Sequence, residues 1–188
     1  LDNGSTNWGV YHSYLGAKNK VDLDTTGASA GNANYWNEEE PTSSLIYTNA
    51  GSWMYTSASF VLYSWHNVPG LQKFGGYAGN GSATNGAFIE LGFRPAVVII
   101  KNATGYTENW LIFDNQRNKY NVTDIYSYPN LANVEDDQYY DLDFLSNGFK
   151  LYNNAAGTNT SGSSATYLYA AWAESPMNNL YGAQSNAR

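Results

Sequence analysis

Cysteine is absent from the 188-residue chain, so neither a disulfide framework nor a thiolate metal site can be built from it. Basic residues are scarce: 9 Lys and Arg stand against 16 Asp and Glu, for a net charge of −7. They form no stripe, which sets aside a nucleic-acid partner. No apolar run approaches the roughly 20 residues of a membrane helix, so no membrane insertion is expected. Charged residues make up only 13% of the chain, too few to pattern long Glu- and Lys-rich helices. There is no leading Met and no signal-peptide pattern, and the expectation is a processed chain or the C-terminal part of a longer one.

What is plentiful is aromatic: 17 Tyr, 7 Phe and 6 Trp, with 18 Gly between them. Such a chain leans to β structure. The stretch Ala165-Thr166-Tyr167-Leu168-Tyr169-Ala170-Ala171-Trp172-Ala173-Glu174-Ser175-Pro176 reads as a strand stopped by a proline. Phe60-Val61-Leu62-Tyr63-Ser64-Trp65-His66-Asn67-Val68-Pro69 lies over its Tyr167 to Pro176 at a constant spacing of 107, Trp on Trp and Pro on Pro. Phe74-Gly75 falls on Tyr181-Gly182 at the same spacing. Upstream, Leu45 to Asn49 matches Phe149 to Asn153 at 104, and Asn7 to His12 matches Asn109 to Asp114 at 102. An offset that drifts one way is what loop insertions between fixed strands produce. The spacing therefore predicts an internal duplication, with halves at about 1–80 and 87–188, in one β domain. It also predicts that Trp65 superposes on Trp172 and Trp8 on Trp110, both pairs largely buried.

Strands are expected at 8–15, 21–23, 45–48 and 53–67, then at 87–91, 96–101, 109–114, 142–145, 149–153 and 166–173. Asn147-Gly148 signals a hairpin, and the glycine-rich 75–86 reads as a turn-rich crossover between the halves. Many short strands separated by turns point to a sandwich or jelly roll. The apolar Gly92 to Lys101 precedes Trp110, whereas only seven residues precede Trp8. An upstream segment or a sister subunit is therefore expected to cover an edge at 8–15.

Little in the chain suggests catalysis, and no catalytic residue is assigned. His12 and His66 have no neighbouring nucleophile, and no nucleophile-elbow, zinc-protease or P-loop motif is present. The acidic groups Glu38-Glu39-Glu40, Glu135-Asp136-Asp137 and Asp141/Asp143 offer hard oxygen ligands, but none has calcium-loop spacing. No metal and no cofactor is expected. A pair of carboxylates set for glycoside hydrolysis is a three-dimensional matter that sequence leaves open. The longest irregular segment, 115–137, carries Tyr120, Tyr126 and Tyr128 ahead of Pro129. Such tyrosines either pin a loop to the core or present ring faces to a glycan, with Tyr126 and Tyr128 on one side.

Several motifs taken together resemble a family. Asn7-Trp8, Tyr11-His12, Tyr35-Trp36-Asn37, Val68-Pro69-Gly70, Gly79-Asn80-Gly81, Gly92-Phe93-Arg94-Pro95-Ala96, Trp110 to Asp114, Asp143 to Leu151 and the terminal Ser185-Asn186-Ala187-Arg188 are similar to an uncharacterised domain of virion proteins from marine bacteriophages, cyanophages among them. The resemblance implies an all-β, concanavalin-like β-sandwich in a phage structural protein, and it brings no catalytic residue. On that basis the chain is expected to be a non-enzymatic virion module at the particle surface. Its expected role is adhesion, as a tail-fibre or appendage domain contacting host glycan, with other virion proteins or sister subunits in a symmetric homo-oligomer as partners. The alternatives are a purely architectural capsid decoration or head-fibre protein and, behind both, a glycan-cleaving enzyme.

Overall fold

The computed structural model describes residues 7–31, 35–49, 59–160 and 165–176. Among these residues the chain is all β, without a helix. The strands are β1 (Gly9–Val10), β2 (Asn19–Asp22), β3 (Ala30–Gly31), β4 (Gln72–Ala78), β5 (Phe88–Glu90), β6 (Pro95–Asn102), β7 (Trp110–Asp114), β8 (Tyr126–Ser127), β9 (Leu142–Leu145), β10 (Gly148–Leu151) and β11 (Thr166–Ala173). Every pairing is antiparallel.

Three sheets result: β4-β11-β6-β7-β8, β5-β10-β9 and the small β1-β2-β3. β6 is a β-branched run whose Pro95 sits at its first position, where a missing N–H does least harm to the ladder. β11 joins β4 to β6, with Tyr169 opposite Gly75 on one side and Ile100 on the other. β9 and β10 close through the two-residue Ser146-Asn147 turn, with Leu145 opposite Gly148.

Period-two alternation sorts the side chains of the five-stranded sheet onto two faces. Val98, Ile100, Leu111, Phe113, Tyr126, Tyr167, Tyr169 and Ala171 face Ile89, Leu142, Phe144, Phe149 and Leu151 of the three-stranded sheet, which makes a sandwich core. Their neighbours Ile99, Trp110 and Leu168 point the other way, into a second cluster with Val10, Leu15, Val21 and Leu23. The N-terminal strands thus form a third layer on the outside of the large sheet.

The second half follows the strand expectations closely, and the first half does not. Residues 45–48 and 59–67 are not strands, β1 spans two residues only, and 53–58 lie outside the described residues. The tryptophan expectation is corrected. Trp110 is buried in β7 and Trp172 is half-buried in β11, but Trp8 is 44% exposed and Trp65 is 59% exposed in a segment outside the strands. The matched tryptophans therefore occupy unlike positions. The physical difference is the ladder: β11 has a strand on each side, whereas 59–67 belongs to no sheet and leaves most of its side chains in solvent. The match of Phe74-Gly75 to Tyr181-Gly182 lies partly outside the described residues.

β4 is the longest strand that sequence reading misses, because Gly75-Gly76 looks like a turn, and the two-residue β3 and β8 are missed with it. Its glycines have a packing reason. A Cβ on Gly75 would stand 2.6 Å from the Tyr169 hydroxyl, and one on Gly76 would overlap the Tyr14 ring. Aromatic rings lie flat on the strand where side chains would otherwise be.

Candidate functional site

The three loop tyrosines are placed differently from one another. Tyr126 lies on β8 with no exposed surface, its ring 5.6 Å from Phe113 and 4.8 Å from Tyr140. It has no face to offer a ligand, which corrects the expectation for that residue. Tyr128 is on the same side, its ring edge-on to Tyr126 at 5.5 Å, half-buried, and its hydroxyl donates to Asp136 Oδ2 at 3.1 Å. Burial raises the pKa of both hydroxyls. Tyr120 is 84% exposed. The structure does not bring it into the ring cluster of the other two.

The rest of the same loop forms one wall of a groove. Trp8, Leu23 and Asp24 from the N-terminal layer face Pro129, Asn130, Leu131 and Ala132 across an open space of about 450 Å³. Each wall is fixed by hydrogen bonds of main chain and side chain. Leu23 N–H donates to Trp8 O at 2.9 Å, and Trp8 N–H donates to Asp24 Oδ1 at 2.9 Å. Opposite, Asn130 Oδ1 accepts from Trp110 N–H at 3.0 Å, its amide donates to Asn109 Oδ1 at 2.8 Å, and Leu131 N–H donates to Tyr128 O at 3.1 Å. Trp110 links the two walls from beneath, because its indole N–H donates to Asp22 O at 2.9 Å.

The groove offers an exposed indole, an exposed leucine and one carboxylate. Asp24 Oδ2 has no hydrogen-bond partner among the described residues, whereas Oδ1 is taken. An apolar platform rimmed by a few convergent polar groups is the usual make-up of a small-ligand site. Sequence reading misses it because analogy with Trp110 assigns Trp8 to the core. The signal available is local: Pro129 stiffens one wall, and Asp24 opens a polar stretch after a strand.

The acidic groups are dispersed and several are engaged, while Asp143 Oδ1 is buried without a hydrogen-bond partner among the described residues. Glu40 accepts from Ala17 N–H at 2.7 Å and from the Tyr11 hydroxyl, Glu135 meets Arg117 at 3.3 Å, and Glu38 meets Lys18 at 3.6 Å. Among the described residues no three His, Cys, Asp or Glu gather around a common point. His12 accepts from Tyr14 N–H at 3.2 Å, and burial lowers its pKa. His66 is exposed beside Asn67 O.

A family described as "Domain of unknown function (DUF7483)" matches residues 2–176. The chain belongs to this family. Trp8, Asp24 and the 129–132 wall all fall inside the matched span, so the groove is built from family-matched chain. No curated protein and no solved structure matches the chain.

Proposed function

We propose that this chain is a non-enzymatic adhesion module of a phage particle, carried on a tail fibre or similar appendage, and that it holds host-surface glycan in the groove beside Trp8. The observation that carries the reading is the indole left 44% exposed on a rigid wall next to the unpartnered Asp24 oxygen. A sugar ring has an apolar C–H face and a rim of hydroxyls. It stacks on an aromatic plane and donates to a carboxylate at its edge. The net charge of −7 favours a neutral glycan over a phosphorylated one. The particle is proposed from the resemblance of the motifs to virion domains of marine phages.

The experiment compares adsorption of the purified protein to host cells, and to arrayed host polysaccharide, with that of Trp8→Ala and Asp24→Asn. Both variants are expected to keep the melting temperature and lose most of the binding, with Tyr126→Phe unaffected. Binding that survives Trp8→Ala in folded protein would sink the groove. The second reading, an architectural decoration of the capsid, is favoured by a different observation, the exposed apolar segment at 61–65. Imaging of labelled particles separates head from tail.

A further inference from the structure

Val61, Leu62, Tyr63 and Trp65 are each 57–64% exposed in a run that contains no Gly, Pro or formal charge from Ser59 to Asn67. A window of this kind has high β propensity and no residue type that opposes strand pairing. The Tyr63 and Trp65 rings already stack at 6.2 Å and 21°, so alternate residues share one side of an extended chain. By sequence this run repeats β11, with Ser59 on Thr166, Val61 on Leu168 and Trp65 on Trp172. β11 is the strand that pairs with β4.

β4 is the end strand of its sheet. Its bonds to β11 run between Gly79 N–H and Ala165 O at one end and between Ala173 N–H and Leu71 O at the other, so Gln72, Phe74, Gly76 and Ala78 direct their main-chain groups outward. Gln72 O accepts from Val68 N–H, and Phe74 N–H donates to Asn67 Oδ1 at 2.7 Å. Among the described residues the outward groups of Gly76 and Ala78 have no partner. Residues 66–68 lie beside the Gln72–Phe74 part of this edge, and among the described residues the same chain makes no bond to its Gly76 and Ala78 part.

We infer that the 59–65 segment of one protomer pairs with the free Gly76–Ala78 edge of a second copy, and reciprocally, in a two-fold homodimer. One chain supplies both complementary parts, which is the condition for an isologous interface. The register carries over from β11: Ser59 stands opposite Ala78 of the second copy and Val61 opposite its Gly76. The sense is antiparallel. In this register Tyr63 of one copy stands opposite Phe74 of the other, whose far side already meets Trp172 edge-on at 5.6 Å. No formal charge within 59–67 opposes the contact. This interface is separate from the glycan groove, and neither reading depends on the other.

The absence of native cysteine makes the test direct. Ser59→Cys and Ala78→Cys chains, both at exposed positions, are mixed and oxidised, with Ser59→Cys plus Ala132→Cys as the control mixture. A mixed disulfide dimer is expected from the first pair well above the control. In sedimentation, Val61→Lys with Trp65→Lys is expected to raise the dimer dissociation constant by about tenfold or more with the β circular dichroism intact. Val134→Lys, at a position 85% exposed elsewhere, is expected to leave it unchanged. A wild-type chain that stays monomeric at every concentration, or a dimer indifferent to the double variant, overturns the inference.

Discussion

Tyr126 carries its hydroxyl into the core without a hydrogen-bond partner among the described residues, although its ring is among the largest fully buried groups. Ring and hydroxyl therefore act in opposite directions on stability. Tyr126→Phe should leave the unfolding free energy unchanged or raise it by about 1 kcal/mol, because an unsatisfied buried polar group is removed. Tyr126→Ala should cost about 3–5 kcal/mol. Denaturant titration of both variants checks this, and a clear loss in the Phe variant would show that the hydroxyl has a partner. The i, i+2 spacing of Tyr126 and Tyr128 was legible as a shared side. That the side is the core was not, because it depends on Phe113 and Tyr140 arriving from other elements. A different polar device fills the core rim at Asn159. Its amide nitrogen lies within hydrogen-bond distance of Asn153 O, Asn80 Oδ1 and Ser82 O, acceptors enough for both N–H groups, and its Oδ1 accepts from Asn80 N–H.

At the scale of elements, close approach decides where glycine is required. A Cβ on Gly148, at the head of β10, would overlap Ile89 O on β5. Gly148→Ala should therefore cost about 1–3 kcal/mol by overpacking. Gly27→Ala, whose nearest neighbour is 3.5 Å away, should be close to neutral in the same thermal melts. The strands β5 to β7 and β9 to β11 were legible because β-branched and aromatic runs there are bounded by turns, and β9 and β11 fall on the residues expected, whereas the two-residue β8 lies in the stretch read as irregular. β4 was not legible, since a strand whose glycines are covered by Tyr14 and Tyr169 looks like a loop without its partners. The first half misled for the converse reason. Residues 59–67 have strand composition but no ladder, and propensity is expressed only where a neighbour offers hydrogen bonds.

Across the whole molecule, the N-terminal layer is tied to the sandwich by Lys101. This fully buried lysine donates to Thr26 O at 2.9 Å and to Glu108 O at 2.5 Å. Burial pushes its pKa from the usual 10.5 down to about 8, so folding releases a proton between those values. The unfolded chain binds more protons in that window, and stability rises with pH through it. The buried tyrosines oppose this above pH 10, because burial raises their pKa and the unfolded chain ionises first. Stability should therefore climb from about pH 8 and turn over near 10. Unfolding midpoints across that range check it, and Lys101→Met should flatten the climb while weakening the contact with residue 26.

The central place of β11 also sets an order of events. Among the described strands β4 pairs with β11 alone, and β11 is synthesised about ninety residues after it. Until that strand leaves the ribosome, β4 and the block formed by β6, β7 and β8 stay unjoined. The large sheet thus assembles late and through distant pairings, which makes its folding slow relative to local hairpins such as β9–β10. A nascent chain stopped after Thr160 should show a protected β9–β10 hairpin and a protease-sensitive β4. Extending it through Ala173 should protect both together.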